Sequence, residues 1–527
     1  MTSENQNNPS SEYEEFGLEP VVRSLIDQIK GLYASDQIPW VVGYSGGKDS
    51  TAVAQLVWLA LLEMKPEERF KPVHIITTDT LVENPAVSVW VERSLELMNQ
   101  KAAEESLPIY AHILTPEVKN TFFVNLIGRG YPAPRHKFRW CTERLKIKPT
   151  DAFIQSVVKE NGEAIIVLGT RKAESSARAG RMKKFEEGRK REFLSQSTTL
   201  QNAFVYSPIE DWENDDVWIF LMQFENPWGN DNADLLDMYR GATADNECPL
   251  VVDTTTPSCG NSRFGCWVCT MVEQDKSMAA MIQNDAEKEW MKPLLDFRNR
   301  ELKPEDLKDD HDKRDFRRMS GHVSLYETVD ENGEERSIPG PYTQSARADF
   351  LRKLLKVQME LRQIEGAPKE VHNLDLISLD ELHEVRRIWV VEKHEIEDLL
   401  PDIFESVVGK VFPKKPLDDR QPFDQEDMVL LKDLCDGDDL HFELVRELLD
   451  VERGYRSKAR RSNLIDRIEK AFRKSFYENA DDATQRAVRR REFQEVLEGI
   501  KQGEMEFERA SERITELTDT SIEQGAS

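Results

Sequence analysis

Basic charge is what this chain is short of. Its 71 lysines and arginines stand against 98 aspartates and glutamates, a formal net charge of −27. Taken alone, that argues against non-specific nucleic-acid binding by the whole surface. Long apolar runs are missing too: the longest apolar helix candidate, Thr51–Met64, is too short to span a bilayer. The opening stretch MTSENQNNPSSEYEE has neither a basic n-region nor an apolar h-region, so residues 1–15 are expected to form a disordered tail and not a signal peptide. The expected location is cytoplasmic, a compartment that does not usually keep structural disulfides. No convincing internal repeat occurs. No Walker A sequence, GxxxxGK[ST], occurs at the one lysine that follows a glycine loop. At 527 residues the chain should hold two or three domains.

That glycine loop is the most informative segment present. The apolar run Pro39–Gly43 leads into Tyr44-Ser45-Gly46-Gly47-Lys48-Asp49-Ser50, and the apolar helix candidate follows at once. The order reads as strand, phosphate cradle, helix. Ser45, Gly46 and Gly47 leave backbone N–H groups bare, and the helix N-terminus adds partial positive charge. The plainer reading is a glycine turn joining a strand to a helix.

Further strands are predicted at Val73–Thr78, Ile109–Leu114 and Ala164–Gly169, with helices at Phe16–Gly31, Pro85–Asn99 and Lys148–Asn161. Strands alternating with helices imply an α/β fold, a parallel sheet with helices on both faces. Ligands on such sheets bind beyond the C-terminal strand ends. Three segments therefore converge on one rim: the glycine loop, Asp79-Thr80, and Gly169-Thr170-Arg171. Asp79 could bind nucleotide or metal, or simply cap the next helix. Arg171 offers a rigid bidentate donor for an anion, or an ordinary surface ion pair with Glu174. Pro208-Ile209 with Trp212, Val217 and Trp218 reads as packing.

Charge is uneven along the chain. Arg129–Lys148 carries eight basic residues against Glu143 alone, and Arg171–Arg191 carries nine against three glutamates. These stretches flank the rim and suit an anionic substrate beyond the nucleotide. A third cluster, at Arg453, Arg456, Lys458, Arg460 and Arg461, reads equally well as a solvated face. Cysteines number six, and four of them, Cys248, Cys259, Cys266 and Cys269, fall within 22 residues. The pair Cys266-Trp-Val-Cys269, with Cys141 and either Cys248 or Cys259, suits a [4Fe–4S] cluster or structural zinc. The wide separation of Cys141 favours the cluster, and the Cys248-Pro249 step favours Cys248 as fourth ligand. Cys141 could instead carry a persulfide, since the surrounding cations should favour a thiolate. Cys435 reads as an inert thiol. After about Gln344 the chain becomes a series of amphipathic helices: Ala346–Ile364, Ser378–Leu399, Gln425–Val451, Asn463–Tyr477 and Thr484–Asp519. The regions are thus 16–241, the nucleotide domain; 242–345, the cysteine-rich part; and 346–527, the helical part.

The SGGKDS loop resembles that of the PP-loop (N-type) ATP pyrophosphatases, also called adenine nucleotide alpha hydrolase-like proteins. The Asp79-Thr80…Pro85, Gly169-Thr170-Arg171-Lys172-Ala173-Glu174-Ser175 and Pro208–Trp218 segments resemble the adenylylsulfate and phosphoadenylylsulfate (PAPS) reductase branch. With Cys141 in KFRWCTERLK, the ECP step at 247–249 and SRFGCWVCT at 262–270, residues 16–360 are similar to the DndC-type DNA phosphorothioation sulfurtransferases. The resemblance implies cleavage of ATP to AMP and pyrophosphate. Ser45, Gly46, Gly47 and Ser50 would hold pyrophosphate, Lys48 would neutralise it and Asp49 would help place Mg²⁺. Asp79 and Arg171 would contact substrate, and Cys141, Cys248, Cys266 and Cys269 would ligate the cluster. It further implies DNA as substrate, a cysteine desulfurase as sulfur donor, and partner proteins of the DndD and DndE type. Rival readings are an adenylylsulfate or PAPS reductase, a tRNA thiolation enzyme, and a nucleotide-gated assembly subunit without turnover. The reductases use a cysteine near the C-terminus in an ECGxH setting, and the context of Cys435 does not match it.

Overall fold

The computed structural model describes residues 17–174, 179–180, 182–183, 191–242, 264–303, 307–329, 333–395, 397–417, 425–456, 461–502 and 509–515. The tail expected over 1–15, and the candidate ligands Cys248 and Cys259, lie outside them. By its contacts the chain divides into two units. One comprises Met1–Phe122, Ala133–Lys303 and Lys356–Leu376; the other comprises Phe123–Pro132, Pro304–Leu355 and Ile377–Ser527.

In the first unit the elements run α1 (Leu18–Ala34), β1 (Trp40–Gly43), α2 (Lys48–Glu63), β2 (Val73–Thr78), α3 (Pro85–Glu104), β3 (Ile109–Leu114), α4 (Lys148–Asn161), β4 (Ala164–Val167), β5 (Ser195–Gln196), β6 (Ala203–Tyr206), α5 (Asn214–Gln223), α6 (Asn232–Gly241), α7 (Lys276–Asn284) and α8 (Lys292–Phe297). They build one six-stranded sheet in the order β3-β2-β1-β4-β6-β5. Every pairing is parallel except that of the edge strand β5 with β6. The strands β5 and β6 were not expected; the two residues of β5 are too few to stand out as a β pattern.

Alternation along the strands decides which helix each side chain meets. Val41, Ile76 and Ile166 turn to one face and pack with Ile154 and Val157 of α4. Trp40, Val42, Ile75, Ile165 and Val167 turn to the other and pack with α1, α2 and α3. Helix α2 is apolar nearly all round, as a helix enclosed by other elements must be. Its buried Gln55 is satisfied by the carbonyls of Phe224 and Glu225, at 3.0 and 2.9 Å. The chain steps outward from β1 to β2 and β3, then returns to place β4 on the opposite side of β1. The loops after β1 and β4 therefore diverge at a topological switch point, where open α/β sheets bind their ligands.

The second unit is helical: α9 (Leu307–Asp312), α10 (Gln344–Leu361, of which residues through Leu355 belong here), α11 (Leu379–Arg387), α12 (Leu399–Val408), α13 (Gln425–Leu434), α14 (Asp439–Arg456), α15 (Leu464–Ser475) and α16 (Ala480–Gln502). Two predicted single helices are broken. The span Ser378–Leu399 divides where His394 and Asp398 take positive φ, 57° and 44°, and Asp398 accepts bonds from Arg386. The span Gln425–Val451 divides at Asp436 and Gly437, with φ 55° and 77°, a residue pair that tolerates left-handed backbone. Among the described residues, no helix is long and apolar enough to cross a membrane.

Ile165 has no solvent exposure and packs in the larger sheet core. Ile165→Ala should cost about 2–5 kcal/mol, read as a lower urea midpoint for the loss of tryptophan fluorescence.

Candidate functional site

The glycine loop follows β1, whose continuation Tyr44 donates its backbone N–H to Ile76 at 2.8 Å. The loop is held in shape by its own hydroxyls. Ser45 donates its backbone N–H to Ser50 Oγ at 3.1 Å, Ser50 Oγ donates to the Gly47 carbonyl at 2.9 Å, and the two serine hydroxyls lie 3.1 Å apart. Gly46 has φ +73°, and a Cβ there would meet Val91 Cγ2 at 2.4 Å. Only glycine satisfies both the backbone and the close approach. Helix α3 braces the turn, Trp90 Nε1 donating to the Gly46 carbonyl at 3.2 Å. From α6, the Tyr239 hydroxyl accepts the Lys48 backbone N–H at 3.4 Å, and the Lys48 ammonium lies 5.8 Å from the Tyr239 ring. Burial pushes the Tyr239 phenol well above its ordinary value, so it stays neutral beside the lysine.

Asp49 joins two loops. Its Oδ2 takes the Lys48 ammonium at 2.9 Å and its Oδ1 takes Arg171 Nε at 2.6 Å. Arg171 comes from the loop after β4 and is buried; its Nη1 donates to the Trp212 carbonyl at 3.2 Å. Glu174 accepts from the Arg171 backbone N–H, at 3.2 Å, so its bond is to the main chain of that arginine. Gly169 makes the junction possible, because a Cβ there would stand 2.7 Å from the Asp49 carbonyl oxygen. Ser45, Gly46, Gly47, Lys48, Asp49, Ser50 and Arg171 thus meet at the switch point, and Arg171 meets the loop through Asp49. Tyr239, Trp90 and the Trp212 carbonyl carried no sequence signal: what recruits them is three-dimensional.

Asp79 ends β2 on the same rim. Its Oδ1 accepts the Leu81 backbone N–H at 2.8 Å, turning a loop in which Leu81 has φ 63°. Burial first, then nearby Glu83, raises the Asp79 carboxyl above the usual range.

The next residues reach the cysteines. Glu83 and Cys266 form an antiparallel bridge, and Trp267 donates its backbone N–H to Val82 at 3.0 Å. Thr80 Oγ1 lies 3.4 Å from Cys266 Sγ and donates to Glu83 Oε1 at 2.9 Å. Lys146, within the π-helical turn Thr142–Ile147 that follows Cys141, pairs with Glu83 at 3.2 Å. Burial opposes the Lys146 charge, yet Cys266, Glu83 and Cys141 outweigh it and hold the ammonium above its ordinary value. Thr270 Oγ1 donates to the Pro134 carbonyl at 2.6 Å, and Arg298 Nε donates to the Cys269 carbonyl at 2.9 Å. Cys141, Cys266 and Cys269 come into one electrostatic neighbourhood, Cys269 acting on both others. Burial pushes the Cys266 thiol up to about 12. Burial also raises Cys141, so the cation-favoured thiolate expected there is not what its surroundings produce.

Among the described residues, no three His, Cys, Asp or Glu side chains are placed as a closed metal site. The donor set nevertheless fits a thiolate-held centre: a CxxC pair and a third soft donor from a distant segment, partly shielded from water, beside the cations Lys146 and Arg298. Such a set accepts iron–sulfur or zinc. Cys435 is buried against Met428 and Phe442 in the second unit.

Residues 39–271 match the family model of the phosphoadenosine phosphosulfate reductase domain. This part of the chain is similar to that domain, the match taking in less than half of the chain, and the mostly parallel sheet is compatible with the likeness. A curated relative, an uncharacterized protein of Methanocaldococcus jannaschii, is 27% identical over 206 residues, 39% of this chain and 36% of that one. The chain therefore spans about a third of the length of that relative. Solved structures with partial likeness include the PAPS reductase of Candida auris, at 13% identity, covering 42% of this chain and 89% of that one, with a TM-score of 0.24. Another is the U34-tRNA thiolase NcsA of Methanococcus maripaludis with its [4Fe–4S] cluster, at 14% identity, 46% and 77% coverage and a TM-score of 0.26.

Gly169→Ala should cost about 1–3 kcal/mol through overpacking and loosen the Asp49 junction. Calorimetric titration with ATP should then show weaker binding than in the native chain.

Proposed function

We propose that this chain is an ATP pyrophosphatase and sulfurtransferase that activates a DNA backbone phosphate for exchange of one non-bridging oxygen by sulfur. The observation that carries the reading is the joining of Lys48, Asp49 and Arg171 on a glycine loop at the switch point. A non-bridging DNA oxygen attacks the α phosphorus of ATP, and pyrophosphate leaves. The Ser45–Ser50 amides and Lys48 meet the growing charge on the leaving group, the kind of stabilisation that dominates phosphoryl and nucleotidyl transfer. Asp49 holds Lys48 in place and would help to hold Mg²⁺, which would supply positive charge to the phosphates. Hydrosulfide, freed from the persulfide of a cysteine desulfurase by a thiol reductant, then attacks the DNA phosphorus, and AMP leaves with the exchanged oxygen.

Cys141, Cys266 and Cys269, with Cys248 as the fourth, would hold a [4Fe–4S] cluster, which supplies a soft, sulfur-rich surface next to the rim. Lys146 offsets the negative charge of such a centre. The basic stretches around Cys141 and after Arg171 contact the DNA backbone, a contact that needs no base reading. Partners of the DndD and DndE type add to the duplex affinity of a chain that is acidic as a whole.

Lys48→Ala should abolish release of AMP and pyrophosphate with an unchanged circular dichroism spectrum; production of ADP and orthophosphate by the native protein would overturn the reading. Cys266→Ser should remove the visible absorption of a cysteine-ligated cluster, whereas a colourless native protein containing zinc would replace the cluster by a structural ion. Mass spectrometry of DNA and of tRNA from cells with and without the protein separates the two thiolation readings: sulfur-containing DNA dinucleotides are expected only in its presence.

A further inference from the structure

The second unit holds a cavity of about 650 Å³ between α15, α16 and the turn at His322. Its apolar wall is aromatic and open to water: Phe476 is 66% exposed and Phe472 46%. The remaining wall is cationic, built from Arg473, Arg486 and Arg490. In a chain of net charge −27, arginines gathered around bare aromatic rings form a local exception.

The aromatic platform is built. Asp482 holds Arg486 Nε through both carboxylate oxygens, at 2.8 and 2.9 Å. Arg486 in turn sets its guanidinium 4.9 Å from the centroid of the Phe476 ring. That ring is backed by the guanidinium and stays largely exposed. Arg490 is fixed by the Val323 carbonyl at 2.6 Å and lies 3.2 Å from His322 Nδ1. Burial, then Arg490 and Arg473, keeps His322 below its ordinary pKa, so the ring accepts from Arg490. Arg473 makes no hydrogen bond or ion pair with the described residues. Glu469 is the acid among the lining residues, against three arginines; Asp482, outside the lining, is committed to Arg486.

We propose that this cavity binds single-stranded nucleic acid, with an unstacked base on the open face of Phe476 and backbone phosphates on Arg473 and Arg490. Exposed rings interleaved with arginines are the chemistry of single-strand binding: every base offers a π face, and every linkage a charge. An acidic peptide would satisfy the arginines and leave the rings uncovered. Duplex DNA keeps its base faces within the stack and cannot use Phe476. The inference concerns binding alone and stands apart from the ATP chemistry, because it places the contact in the helical unit.

The test is fluorescence anisotropy of the full chain with labelled oligothymidylate, in the absence of ATP and across a salt series. Phe476→Leu keeps an apolar side chain and removes the π face; it should weaken binding about 5- to 150-fold, the worth of one stacked base. Arg473→Gln should reduce the slope of log affinity against log salt by about 0.7, one phosphate contact on a single strand. Both variants should retain native circular dichroism and native AMP formation, and Lys48→Ala should bind the oligonucleotide as the native chain does. A matching RNA strand and a duplex complete the set: preference for either single strand over duplex supports the inference and names the natural ligand. Native affinity in Phe476→Leu, equal binding of duplex, or competition by polyglutamate as effective as that by oligothymidylate would overturn it, the last in favour of a protein partner.

Discussion

The carboxylate of Asp49 is the constraint on which the nucleotide rim depends. It stands at the first turn of α2, where negative charge suits the helix dipole, and it is shared by Lys48 and Arg171. Through it the loop after β1 is fastened to the loop after β4, the two loops that the strand order drives apart. The ion pair brings no general stability by itself, since a shielded pair repays its own desolvation only when well satisfied. What it supplies is register. Arg171 is satisfied on its other side by the Trp212 carbonyl, and Gly169 lets the two backbones touch.

The β1–loop–α2 unit was legible in the sequence because each level agreed: a β-branched strand, glycines at the turn and an apolar helix. The strands β2, β3 and β4 were legible for the same reason, and so was the presence of helices on both sheet faces. The two-residue edge strand β5 and its neighbour β6 were not. Helix breaks at His394–Asp398 and at Asp436–Gly437 were missed because amphipathic patterning continues across a single left-handed turn. The three regions drawn from composition, 16–241, 242–345 and 346–527, follow charge and cysteine content, whereas contacts join residues 264–303 to the sheet.

The candidate site was legible in its residues and not in its roles. Arg171 was marked as an anion donor from its fork geometry; its buried bonds to Asp49 and the Trp212 carbonyl carried no sequence signal. Tyr239 and Trp90 come from helices whose patterns speak only of packing. Glu83 and Lys146 are ordinary charges in the sequence, and only the bridge of Glu83 with Cys266 shows them to be neighbours of the thiols. The convergence of Cys141 with the CxxC pair was foreseen from residue type; its depth below water, which raises rather than lowers the thiol pKa, was hidden from any reading of local charge.

Helix α3 and the loop that leads into it touch both halves of this arrangement. Trp90 grips the Gly46 carbonyl, and Val82 and Glu83, seven or eight positions earlier in the loop that leads into the helix, pair with Cys266 and Trp267. Grafting is therefore constrained: a glycine loop borrowed from another sequence must bring a compatible helix with it, or the cysteine pair will lose its alignment. The same mechanical linkage means that drift in residues 83–91 is visible at two chemically different addresses, so changes accepted there are filtered twice.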